Sequence, residues 1–226
     1  AMEITKEQLL QIDNYVFSCG IEYYDVRTEI VDHFANILEQ KLDKNPHLDF
    51  KKEIVNIHKN FSNSGFQNLL KEKTKAVQKR FYKASFKHFS TFFKLPKIII
   101  TGAFFYVLLQ VMHLIEDKKV FFQFLTVSMF IAVFSVFLFL YFKKKKKKEL
   151  FLALDMNNNL VQIINNAVIY FNTITIFRNE ESFLNPIHNN IQLIIFVLAF
   201  FFYWSCQAIY NQNKKTVKEH YPNLAI

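Results

Sequence analysis

Two stretches of this chain, Ile98 to Ile115 and Val120 to Phe142, contain no lysine, arginine, aspartate or glutamate. At 1.5 Å per residue the shorter run makes a helix of about 27 Å, close to the roughly 30 Å of bilayer hydrocarbon. Only Glu116-Asp117-Lys118-Lys119 lies between them, enough to turn a helical hairpin at a membrane surface. Ile191 to Tyr210 is a third uncharged run, and its Phe200-Phe201-Phe202-Tyr203-Trp204 suits a span and its interface. Leu160 to Phe177 is interrupted by Gln162, Asn165, Asn166 and Asn172. It is still read as a span, because the run at 191–210 needs a partner to lead the chain back across the bilayer. A surface-lying or re-entrant helix is the other reading of that segment. Arg178 to Asn190, with Pro186, reads as the loop between the two.

The remaining residues are distributed to match. Apolar residues crowd into the part after Pro96 and charge into the part before it, which separates a lipid-facing part from an aqueous one. Only 3 glycines and 4 prolines in 226 residues argue for long helices over a turn-rich β-fold. Cys19 and Cys206 stand far apart with no Cys-x-x-Cys, so neither a disulfide framework nor a zinc site is suggested. The first 20 residues hold acidic positions and no apolar core, so no cleavable signal peptide is expected.

Basic residues give the orientation. Lys71 to Lys97 holds nine of them against one acid, Glu72. Lys143, Lys144, Lys145, Lys146, Lys147 and Lys148 open the second connection, and Lys214, Lys215 and Lys218 close the chain. The other two connections hold only Lys118, Lys119 and Arg178. Eighteen against three places both termini in the cytosol of a bacterial inner-membrane protein. The lysine run is first a topogenic anchor on anionic headgroups, each residue worth about 1 kcal/mol near such a surface.

Residues 1–95 read as helices. Thr5 is a candidate cap for the first, and Gly20 is placed to end it. A second helix covers Tyr24 to Lys44 with a stripe of Val26, Ile30, Phe34, Ile37, Leu38 and Leu42, and Asn45-Pro46 stops it. A third carries Ile54, Ile57 and Phe61 up to Asn63-Ser64-Gly65, and a long basic helix then runs towards Pro96. In that last helix Phe81, Tyr82, Phe86, Phe89, Phe92 and Phe93 recur every three to four residues among Lys79, Arg80, Lys83 and Lys87. Such interleaving suits single-stranded nucleic acid or an amphipathic helix in a headgroup layer. The span that follows Pro96 directly favours the membrane, and no nucleic-acid partner is expected.

The stretch Tyr24-Asp25-Val26-Arg27-Thr28-Glu29-Ile30-Val31-Asp32-His33-Phe34, followed by Phe50 to Phe61 and Gly65-Phe66, resembles the HAAS-type domain. Here Ser62-Asn63-Ser64-Gly65 stands where that family has a Leu-Gly turn. The resemblance covers about residues 5–75 and implies a small cytosolic helical bundle joined to membrane helices, serving protein interaction or sensing. It implies no catalysis. Glu29, Asp32 and His33 are then the candidate partner-binding or switch residues. His33 reads either as a half-buried histidine fixing helix packing beside Glu29 or as a pH-responsive group.

The expected architecture is therefore all-α. It comprises a cytosolic three-helix bundle at 1–75, a basic amphipathic juxtamembrane helix at 76–96, and four membrane helices with a cytosolic tail at 97–226. One histidine, His113, falls within a span, and there is no His-Glu-x-x-His, no intramembrane acidic pair and no glycine-rich phosphate loop. No catalytic, metal or cofactor site is expected. Gln162, Asn165, Asn166, Asn172 and Thr173 share about a third of one helix circumference at 100° per residue. That polar face is expected to turn towards other helices, as interhelical glue or as a polar path. Two functions from different classes follow: a non-enzymatic regulator or accessory subunit whose bundle binds a protein partner, or a small transporter using the polar face. Homo-oligomerisation is compatible with either.

Overall fold

The computed structural model describes residues 3–61, 65–144, 149–222 and 224. Every regular element among them is helical: α1 Lys6–Ser18, α2 Tyr24–Lys44, α3 Phe50–Phe61, α4 Gly65–Ser90, a 3-10 turn Thr91–Phe93, α5 Lys97–Leu114, α6 Lys118–Lys144, α7 Leu152–Phe177, α8 Glu180–Leu184 and α9 Pro186–His220. The chain divides into two compact units. The first gathers Ala1–Lys79, Lys148–Asp155 and Tyr221–Ile226; the second gathers Arg80–Lys147 and Met156–His220.

Local chemistry sets the boundaries in the first unit. The Thr5 hydroxyl accepts the Gln8 amide at 3.2 Å while the Gln8 side chain accepts the Thr5 amide at 2.9 Å. This reciprocal capping satisfies two N–H groups that α1 would otherwise leave orphaned. Gly20 takes φ +90°, the left-handed conformation that ends α1. α2 begins and ends where its stripe and Asn45-Pro46 predict, and Val26, Ile30, Phe34, Leu38 and Leu42 are all buried along it. Val26, Ile30, Phe34 and Leu38 pack with Ile12 and Val16 of α1, Ile54 and Ile57 of α3, and Phe66 of α4. Fully burying one such side chain contributes about 1.5–3 kcal/mol, so this core is the main source of the unit's stability. The His58 ring lies flat on Phe66 at 4.2 Å and its Nδ1 is 2.7 Å from the Tyr15 hydroxyl, which joins α3 to both α4 and α1.

Lys41 of α2 and Glu53 of α3 form an ion pair in which Glu53 is only 13% exposed. The Lys41 hydrogen bond, with help from Asn56, holds the Glu53 carboxyl below its ordinary value of 4.5. A depressed carboxyl pKa contributes stability that is fully present above the unfolded value and lost as pH falls through the folded one. Lys41→Met is therefore expected to flatten the acid-unfolding profile below pH 4.5, as checked by circular dichroism against the parent chain.

The second unit is aromatic throughout. Phe121 and Phe122 of α6, Phe171 of α7, Phe183 of α8 and Phe196 and Phe201 of α9 form its centre with Met112 of α5. Phe104 stacks on Phe200 at 4.9 Å, joining α5 to α9. The α5–α6 turn is built from the four polar residues expected there. Lys118 Nζ donates to the Met112 and Ile115 carbonyls at 2.9 and 2.5 Å, closing α5. Asp117 Oδ1 accepts the Lys119 and Val120 amides at 2.8 and 3.2 Å, opening α6.

Among the described residues three helices are long and apolar enough to cross a membrane: Lys97–Leu114, the Lys118–Ser135 part of α6, and Pro186–His220. Just 11% of the first and 22% of the second is buried. Ile99, Val107, Phe124, Ile131 and Phe134 stand exposed on them, an exterior suited to lipid and not to water. The fourth predicted span, Leu160 to Phe177, forms one continuous helix within α7 but is not among these three. The expected loop at 178–190 is shorter than predicted. Pro186 starts α9, because its fixed φ and missing N–H suit a first helical position, and α8 occupies part of what remains.

Candidate functional site

The first turn of α2 carries a dense polar arrangement. Arg27 is 5% exposed, yet it bears a charge, so its donors must be met within the fold. Its Nε donates to Asp13 Oδ1 of α1 at 2.7 Å and its Nη2 to Glu149 Oε2 at 3.1 Å. Nη1 reaches the Glu22 carbonyl at 3.4 Å. The guanidinium also lies over the Phe17 and Tyr24 rings, 5.3 and 5.6 Å from their centroids. Burial pulls the Arg27 pKa down, but the hydrogen bonds and charges of Asp13 and Glu149 outweigh it and hold the value above normal.

Around this arginine residues 149–155 are laid against α2. The Tyr24 amide donates to the Leu150 carbonyl at 2.7 Å. Asp25 Oδ1 accepts the Leu152 amide at 3.0 Å, so a carboxylate from α2 caps the N-terminus of α7, where negative charge is favoured. The Tyr23 hydroxyl donates to Asp155 Oδ2 at 2.9 Å, and burial followed by that bond pushes its pKa up to about 12. Tyr24 packs on Phe151 at 5.7 Å and edge-on to Tyr221 at 5.4 Å. Leu152, 2% exposed, completes the core of the unit. Residues far apart in sequence are thus held at one helical turn by four carboxylates, one arginine and two tyrosines. Such an arrangement fixes the first turn of α7 against the first turn of α2.

The residues singled out by sequence fall elsewhere. Glu29 pairs with Lys73 of α4, whose Nζ lies 2.6 and 2.8 Å from the two carboxylate oxygens. Asp32 and His33 are exposed on the outer side of α2 rather than half-buried beside its stripe. Lys79, Arg80, Lys83 and Lys87 are exposed along α4, with Phe86 exposed among them and Phe81 and Ser85 buried on the opposite side. The backbone of Lys143 and Lys144 belongs to α6, and Lys145, Lys146, Lys147 and Lys148 lie outside the described residues.

The polar face of α7 departs from expectation. Gln162, Asn165, Asn166 and Thr173 are exposed and Asn172 is half-buried. The side turned inwards is Leu160, Ile164, Val168, Phe171 and Thr175. The reason is packing: Phe171 meets Phe122 and Phe196 at 6.2 and 5.7 Å, and apolar burial decides which side of the helix faces its neighbours.

A second polar cluster, absent from the expected sites, sits at the end of α7. Arg178 donates from Nε to Ser182 Oγ at 3.0 Å, from Nη1 to Gln192 Oε1 at 2.5 Å, and from Nη2 to the Ser182 carbonyl and Asn189 Oδ1 at 2.6 and 2.7 Å. Gln192 passes the chain on to Thr175 Oγ1 at 2.7 Å, and Asn189 to the Phe183 carbonyl at 2.8 Å. The guanidinium covers Phe183 at 4.1 Å. Burial lowers its pKa, though an arginine stays charged throughout the physiological range. Among the described residues no group of three His, Cys, Asp or Glu side chains is placed to hold a metal ion. No family model, no curated protein and no solved structure matches this chain.

Proposed function

We propose that this chain is a non-enzymatic regulator or accessory subunit of a bacterial inner membrane, with a HAAS-like bundle that binds a protein partner in the cytosol. In this reading α7 is a fourth span and both chain termini are cytosolic. The observation that carries it is the clamp of residues 149–155 onto α2 by Arg27, Asp25 and Tyr23. Residues 149–151 lead into the first turn of α7, so a displacement of that turn reaches α2 through named bonds. The exposed side of the same helix carries Asp32 and His33. Exposed Lys79, Lys83 and Phe86 on one side of α4 suit contact with anionic headgroups.

A photo-crosslinking residue at position 33, introduced into the full chain in its native membranes, tests this. A discrete adduct that disappears with Asp32→Lys is expected. Absence of any adduct, together with unaltered behaviour of Asp32→Lys cells, would remove the reading. The transporter alternative meets one specific obstacle: Gln162, Asn165 and Asn166 of α7 are exposed and face away from the other helices of their unit, so a path along them would have to run between chains. A permeability change in liposomes holding the purified protein would favour it.

A further inference from the structure

We propose that the exposed amide face of α7 seats a second copy of this chain, α7 against α7 in the same orientation. The proposal rests on α7 being a membrane span. Gln162, Asn165 and Asn166 are exposed on one side of that helix and make no side-chain hydrogen bond among the described residues. Thr173 differs, since its hydroxyl donates back to the Ile169 carbonyl at 2.8 Å and needs nothing further. Rotating α7 to bury the amides is closed off, because Leu160, Ile164, Val168, Phe171 and Thr175 already occupy the inner side.

Lipid offers no donor or acceptor at this depth, and an unmatched amide there is strongly disfavoured. What covers the face must bring both donors and acceptors at the same height in the membrane. A carboxamide carries both, so the face is complementary to itself. A parallel copy related by a two-fold axis along the membrane normal sets Asn165 and Asn166 opposite their own counterparts without adjustment. The face bears no charge, so two copies do not repel, and exposed Ile169 and Ile176 continue it as an apolar seam. A single asparagine in a helix seam is known to fix register and partner number in this way.

Cysteine crosslinking of the full chain in native membranes tests this. A Cys19→Ser background serves, Cys206 being wholly buried. Asn165→Cys and Ile169→Cys are expected to form disulfide-linked dimers on oxidation, and Ala167→Cys, about 140° around the helix from Gln162, is not. Adding Asn166→Leu and Asn165→Leu to Ile169→Cys should lower the dimer yield about tenfold, as loss of interhelical amide bonds implies. Equal dimer yield from position 167, or none from positions 165 and 169, overturns the proposal. A membrane-impermeant maleimide applied to both faces separates this from failure of its premise. If it labels positions 165 and 169 as fast as a cysteine at exposed position 32, α7 lies in water and the span reading falls. If they neither label nor crosslink, the span stands and the second copy is gone.

Discussion

Arg27→Met is expected to destabilise the first unit by about 2–4 kcal/mol, a little below the range for removing one partner of a fully enclosed ion pair. Arg27 itself is nearly sealed, with a 6% exposed side chain, but Asp13 and Glu149 keep 31% and 28% of theirs. Water can therefore take up part of the deficit. Methionine keeps most of the stem that packs on Phe17 and Tyr24, so the loss reports charge and hydrogen bonds rather than volume. For a domain of this size the shift in melting temperature is about 10 °C or more, readable by circular dichroism of the full chain in detergent. Glu149→Gln separates the two halves of the clamp. It retains an oxygen for Nη2 and should cost about 1 kcal/mol. Hydrogen exchange should then quicken at Leu152, whose amide is held by Asp25, while α1 stays protected. If Arg27→Met leaves both melting and exchange unchanged, the clamp contributes nothing and the proposed coupling loses its physical basis.

Much of this was legible in the sequence, for identifiable reasons. The caps of α1, the limits of α2 and the α5–α6 hairpin depend on residues within four positions of each other, and short-range chemistry is what a sequence displays. Three apolar helices were legible because an uncharged run has few other uses. The clamp was not. Arg27 sits between Val26 and Thr28 in what reads as an ordinary half-polar turn, and its partners lie 14 and 122 positions away. Burial of a guanidinium leaves no periodic signature; the one available hint was Glu149, an acid directly after six lysines. The α7 face shows the converse. Its position on the helix follows from 100° geometry, but its direction does not, because direction depends on which side the aromatic core of the unit selects. His33 is adjacent to the stripe in sequence, but at 100° per residue one position beyond the stripe is already outside it.

The Arg178 cluster supplies the other large effect, and its chemistry differs from that of the clamp. Every acceptor on this guanidinium is neutral: two side-chain amides, a hydroxyl and a backbone carbonyl. Removing the arginine relieves a desolvated charge, but it strands Gln192 Oε1 and Asn189 Oδ1 on residues only 2% and 3% exposed. An unsatisfied buried acceptor costs about 1–3 kcal/mol, and relief of the charge offsets part of two or three such terms. Arg178→Met is therefore expected to destabilise the second unit by about 3 kcal/mol. Cys206, wholly buried within that unit, provides the readout. In a Cys19→Ser chain a thiol-reactive dye reports its exposure on heating, and the midpoint should fall well below that of the parent. Arg178→Lys should recover less than half of the loss, since one ammonium cannot reach the Ser182, Asn189 and Gln192 acceptors together. Full recovery by lysine would show that charge alone matters and that the fork of hydrogen bonds joining α7, α8 and α9 is incidental.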